Sequence, residues 1–240
     1  MFPYDPTLLT AVSRVPQTVS DVLETMQTIA GTCVDGDGLK WFNWLYFSVT
    51  QAVESQLSTG GYANPEWLAA LDVQFARLYF GALQTYLKKQ STPSCWRALF
   101  DRRPQVRLTR LQFALAGINA HINHDLAVAL VNTCQASGCA PEYGDTNYGD
   151  YTKVNTTLNS LIDSTKQELN VRLLGEVLPA ANKLEDTLGA FVIAAAREQA
   201  WHNCEILWRL QTTPKLATGF MASLDGLTTL SSKAMLVEVP

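Results

Sequence analysis

The chain has 240 residues, of which 47% are hydrophobic and only 17% charged, with a net charge of −4. That length suits one large core across residues 1–240 better than two small ones, and so few charges point to an apolar pocket or an oligomer interface such as a homodimer. No basic run appears, which argues against nucleic-acid binding, and no apolar run reaches the ~18 residues of a membrane span.

The opening Met1-Phe-Pro-Tyr-Asp-Pro has no basic leader and no apolar core, so a signal peptide is not expected. Residues 1–16 read as a lead segment. Thr18 to Thr32 reads as a helix with Val19, Val22, Met26 and Ile29 on one side. Cys33-Val-Asp-Gly-Asp-Gly38 is a turn; its Asp-Gly-Asp-Gly lacks the later acids of a calcium loop. Leu39 to Leu57 is helical and apolar nearly all round, the mark of a buried element.

Asn64-Pro65 opens the next helix, with Asn as cap and Pro in the first turn, and it runs to about Lys89. A short helix around Trp96 to Phe100 follows, and a long central helix covers Arg107 to Gln135. Residues 137–150, rich in Gly, Asp and Tyr, read as a loop or lid. Tyr151 to Leu174, Leu184 to Leu210 and Leu216 to Leu236 complete the helices, with a break at Leu178-Pro179. No strand-type alternation rises above this pattern. The expected fold is therefore all-α: a single-domain bundle of about six to eight helices around a buried central helix.

The five cysteines are odd in number and form no Cys-x-x-Cys. Free thiols in a reducing cytoplasm fit this usage better than disulfides or a structural zinc site. Cys134 and Cys139 bracket a helix end and are the pair placed to join on oxidation.

The central helix carries the chemistry. Two of the three histidines lie in Asn119-Ala-His-Ile-Asn-His-Asp-Leu126. At about 100° per residue, the core face runs through Leu108, Leu111, Leu115, Ile118, Ile122 and Leu126. His121 and Asp125 share one edge of that stripe, in line with Arg107 and Arg110, while Asn119 and Asn123 lie toward the other. His124 is turned further from the core. His121 and Asp125 are the expected acid–base pair, with Asn119 and Asn123 as substrate contacts. Asp72, a lone acid on the apolar face Leu71-Asp-Val-Gln-Phe75, suits a general acid with a raised pKa. Arg197, beside an alanine run and Trp201, needs a partner, with Asp72 or Asp125 as candidates, or else binds a substrate anion.

The aromatic residues Trp41, Phe42, Trp44, Tyr46, Phe47, Tyr79 and Phe80 are core by default. If part of the set lines a cavity, Trp41, Tyr46, Tyr79 and Trp201 suit a flat or terpenoid substrate. The expected activity is cofactor-independent cyclase, isomerase or lyase chemistry on a small hydrophobic molecule of specialised metabolism. One alternative is a hydrolase or oxygenase holding a divalent metal on His121, His124 and His202, because His-x-x-His puts two imidazoles on adjacent turns. On its own helix, His202 shares a stripe with Glu198 and Glu205, which more often marks a solvated face. A second alternative is a non-catalytic binding or interaction protein. No P-loop, nucleophile elbow, dinucleotide turn or His-Glu-x-x-His is present.

Phe42-Asn-Trp-Leu-Tyr46, Leu71-Asp-Val-Gln-Phe-Ala-Arg77, the central motif, Tyr151-Thr-Lys-Val-Asn155 and Ala196-Arg-Glu-Gln-Ala-Trp201 together resemble an uncharacterised helical family of bacteria and fungi. That family is marked by an Asn-Ala-His-Ile-Asn-x-Asp-Leu signature. The resemblance implies a single domain over most of the chain and carries no activity with it.

Overall fold

The computed structural model describes residues 2–158 and 193–238, and among these there is no strand. In chain order the helices are α1 (Asp5–Ser13), α2 (Val19–Thr32), α3 (Gly38–Ser58), α4 (Pro65–Leu87), α5 (Ser94–Phe100), α6 (Arg110–Ala120) and α7 (Leu126–Ser137). They continue with α8 (146–158), α9 (Ile193–Arg209) and α10 (Pro214–Met235). One π turn, His121–Asp125, joins α6 to α7. The expected break at Leu178-Pro179, the end of the Tyr151–Leu174 helix and the start of the Leu184–Leu210 helix lie outside the described residues.

Local chemistry starts and stops these helices. Thr18 with Asp21, and Thr109 with Gln112, form reciprocal capping boxes at α2 and α6. Asp37 caps α3 through the Leu39 amide, and Asn64 with Pro65 caps α4 through the Trp67 amide. Gly138, at φ +66°, ends α7 in the left-handed conformation that glycine adopts without strain.

Two corrections concern the expected loops. The lead segment 1–16 contains α1, because Leu8 and Val12 are buried and Asp5 reaches the buried Arg103 at 3.2 Å. Arg103 also grips Asp37 through both carboxylate oxygens, at 2.9 and 2.5 Å, tying the start of α3 to the segment after α5. The segment 137–150 is already helical from residue 146. There Asp150 accepts from the Ala63 and Asn64 amides at 3.0 and 2.6 Å, so this stretch fastens the start of α4 and does not line the chamber described below.

The buried side chains form two main clusters. One joins α1, α2, α3, α5 and α6 with much of α4; the other joins α7, α8, α9 and the start of α4. Helices α3 and α6 interlock by two glycine–phenylalanine contacts. A Cβ on Gly38 would stand 2.3 Å from the Phe113 ring, and one on Gly117 would stand 2.3 Å from the Phe42 ring. The two backbones approach closely only because neither glycine carries a side chain.

Candidate functional site

The π turn sits where the two clusters meet. The Leu126 N–H donates to the His121 carbonyl, five residues back. One extra residue in a turn offsets everything beyond it by about 100° from the phase read over α6. His124, expected to point away from the core, therefore swings inward and is largely buried.

Asp125 is the hub. Its Oδ2 accepts from His121 Nδ1 at 3.1 Å and from the Trp96 indole at 2.9 Å. Its Oδ1 accepts from His124 Nδ1 at 2.7 Å. Burial opposes the Asp125 charge, but hydrogen bonds from both imidazoles outweigh it and hold the carboxyl below its usual range. An ionised carboxylate only accepts, so both histidines carry their proton on Nδ1. The lone pair of His121 then sits on Nε2. Burial lowers the His121 pKa, with Asp125 opposing, so its ring is neutral near pH 7.

His121 faces an apolar chamber of about 100 Å³ between α3, α4, the π turn, α8 and α9. Its ring stacks on Phe75 at 3.4 Å with only 5° between planes, and Tyr46 meets it edge-on at 4.5 Å. Phe42, Leu71, Ile118 and Val154 are among the apolar walls. Three polar side chains interrupt them besides His121: Tyr46, Asp72 and Arg197.

Asp72 Oδ2 is enclosed and has no hydrogen-bond partner among the described residues, and His121 Nε2 shares that condition. Burial, with a smaller push from Glu54, raises the Asp72 pKa to about 7. Burial also raises the Tyr46 phenol well above its usual value, reinforced by Asp72. The Thr50 hydroxyl lies close enough to ease that shift, without a regular hydrogen bond between the two. Arg197 stacks over the Tyr151 ring at 4.1 Å and donates to Asn155 Oδ1 and the Tyr151 carbonyl, both at 2.7 Å. Neither Asp72 nor Asp125 is its partner, and no carboxylate among the described residues pairs with it. Desolvation lowers its pKa.

The remaining expected residues fall elsewhere. Asp125 stands behind His121, away from the chamber wall. Asn119 donates to the Thr228 carbonyl and Ser232 Oγ and accepts from Asn123, so this pair locks α6 to α10 and does not line the chamber. Trp41, Tyr79 and Trp201 are buried in the packed core outside the chamber. Arg110 covers the Trp41 ring, Tyr79 packs on Trp96, and Trp201 packs on Tyr151. His202 is half-exposed, held between Glu198 at 3.4 Å and Glu205 at 3.2 Å. It does not come together with His121 and His124, so the expected three-histidine metal set does not form.

A different donor group does. Cys95, His124 and Asp225 have ligand atoms within 4.8 Å of one another. Phe75, Cys95, Trp96 and Asp225 escaped sequence reasoning. Phase pointed to Phe75, three residues from Asp72 on one helical face, but nothing local marked the others. All five cysteines are free thiols, as expected. No helix among the described residues is long and apolar enough to cross a membrane.

The model of DUF5995, a family of unknown function, matches residues 19–238, in agreement with the resemblance to an uncharacterised helical family. The chain belongs to that family. No curated protein and no solved structure matches it.

Proposed function

We propose that this member of DUF5995 is a small-molecule enzyme that moves protons on an apolar substrate, in isomerisation, cyclisation or elimination. One observation carries the reading: Asp72 Oδ2 and His121 Nε2 are buried, lack partners among the described residues, and stand in the wall of the same apolar chamber. Leaving a buried polar atom unsatisfied costs about 1–3 kcal/mol, and a bound ligand removes that cost.

The two groups divide the work as acid and base. His121 is neutral, with its lone pair on Nε2 and a carboxylate behind Nδ1 to steady the imidazolium that forms. Asp72 keeps its proton up to about pH 7 and so supplies one. Environments that drive two titratable groups apart in this way are what acid–base assignments rest on. Among the described residues Arg197 has donors left for a substrate carboxylate or a developing oxyanion. In an isomerisation, His121 Nε2 takes a proton from carbon beside a carbonyl. Asp72 returns one at the far end of the shifted double bond, with no net gain or loss. This step needs no cofactor. An engineered apolar cavity of ~150 Å³ holds benzene. A chamber of about 100 Å³ thus suits a short branched chain or the reacting end of a longer molecule. Five free thiols fit work in the cytoplasm.

The test is hydrogen exchange in D2O with small ketones and enones, followed by mass spectrometry. Wild-type protein should catalyse saturable exchange beside the carbonyl. His121→Ala and Asp72→Asn should each lower it by about 10²-fold or more with the helical signal intact. Saturable binding without exchange makes the protein a binder and overturns the reading.

A further inference from the structure

On the other side of Asp125 from the chamber, we propose that Cys95, His124 and Asp225 form a binding site for a divalent transition-metal cation of the zinc class. The three come from separate elements: Cys95 from α5, His124 from the π turn and Asp225 from α10. Their donor atoms lie within 4.8 Å of one another. A cation among them needs side-chain shifts of under about 1 Å to reach bonds of ~2.0–2.3 Å.

The donor set chooses the metal. One sulfur, one imidazole nitrogen and one carboxylate oxygen suit zinc or cobalt; magnesium and calcium prefer oxygen alone. Thiolate and carboxylate together balance the charge of a divalent ion. Three protein ligands leave a fourth position for water or a ligand, the pattern of open zinc sites.

The supporting shell is already in place. Asp125 Oδ1 holds His124 Nδ1 at 2.7 Å, which leaves Nε2 free for a metal. Both oxygens of Asp225 are oriented by backbone amides, Ser94 at 3.0 Å and Cys95 at 2.9 Å. Without a cation these carboxylates work against the cysteine: burial, Asp125 and Asp225 all push the thiol up, so Cys95 is not poised as a nucleophile. A cation reverses that balance. The site does not depend on the acid–base reading of the chamber, and metal binding alone decides it.

Full-length protein stripped with a chelator and then titrated with Co²⁺ tests the site. About one equivalent should bind, with a sulfur-to-cobalt charge-transfer band in the near ultraviolet, and Zn²⁺ should displace it. Cys95→Ser should abolish the band, and His124→Gln should weaken Co²⁺ binding at least tenfold. Asp125→Asn should weaken it by about 10- to 100-fold as an outer partner. Cys139→Ser, a change at a thiol outside the site, should keep the band. His124→Gln also guards against a Cys95→Ser protein that fails to fold. Less than a tenth of an equivalent bound, or a band that survives in Cys95→Ser, overturns the proposal.

Discussion

His121 and His124 lie three residues apart and hydrogen-bond to the same carboxylate, yet they occupy opposite kinds of environment. His121 faces Phe75, Tyr46 and an apolar chamber, and burial lowers its pKa despite Asp125. His124 is also desolvated, but its bond to Asp125 and the charge of Asp225 overcome this and raise its pKa. The π turn sends one ring to each side. Residue type and spacing thus leave the chemistry open, and what packs against each ring decides it.

Asp125 holds the two sides together, so its loss should have the largest effect. Asp125→Ala strands the Trp96 indole and both imidazole N–H groups in the core. Urea unfolding should show a loss of about 3–5 kcal/mol. A loss under about 1 kcal/mol would mean the two histidines are held independently.

Asp72 should give the opposite sign, because it belongs to the apolar chamber alone. Its folded pKa of about 7 lies well above the ordinary aspartate value of 3.8. The folded state therefore holds this proton more tightly than the unfolded state. The resulting stability is fully present below about pH 4 and lost as pH rises through 7. Asp72→Asn escapes the loss. It should be more stable than wild type at pH 8 by roughly 2–4 kcal/mol, with the gap closing at pH 4. Equal stabilities at pH 8 would remove the strained acid from the chamber.

Gly117→Ala acts on the chamber side from beneath. A methyl there presses on Phe42, whose ring meets His121 edge-on at 5.8 Å. Thermal unfolding should report a loss of about 1–3 kcal/mol, with proton exchange impaired and cobalt binding kept. The smallest effect belongs to the third histidine. His202→Ala should change stability by no more than about 0.5 kcal/mol and leave cobalt binding unchanged, because the ring is half-exposed and its partners, Glu198, Glu205 and the exposed Tyr143, lie outside both sites.

Helix phase and residue type made the bundle, the cap at Asn64, and the polar chamber residues His121, Asp72 and Arg197 readable from the sequence. Phase misplaced His124, because an i to i+5 hydrogen bond leaves no compositional mark, whereas Ile122 and Leu126 are buried as their phase implies. The large aromatics misled for another reason. Trp41, Tyr79 and Trp201 look alike in sequence to Tyr46, and only packing distinguishes a core ring from a chamber wall. Cys95 and Asp225 are 130 residues apart in sequence. Their meeting with His124 is a product of tertiary packing, beyond the reach of any local pattern.

The carboxyl of Asp72 bears most directly on the chamber as an acid–base site. Carbon-13 NMR of protein labelled at aspartate carboxyls, with Asp72→Asn to assign the resonance, follows its titration in the intact chain. The account predicts a midpoint near 7. A midpoint in the ordinary carboxylate range near 4 would contradict it.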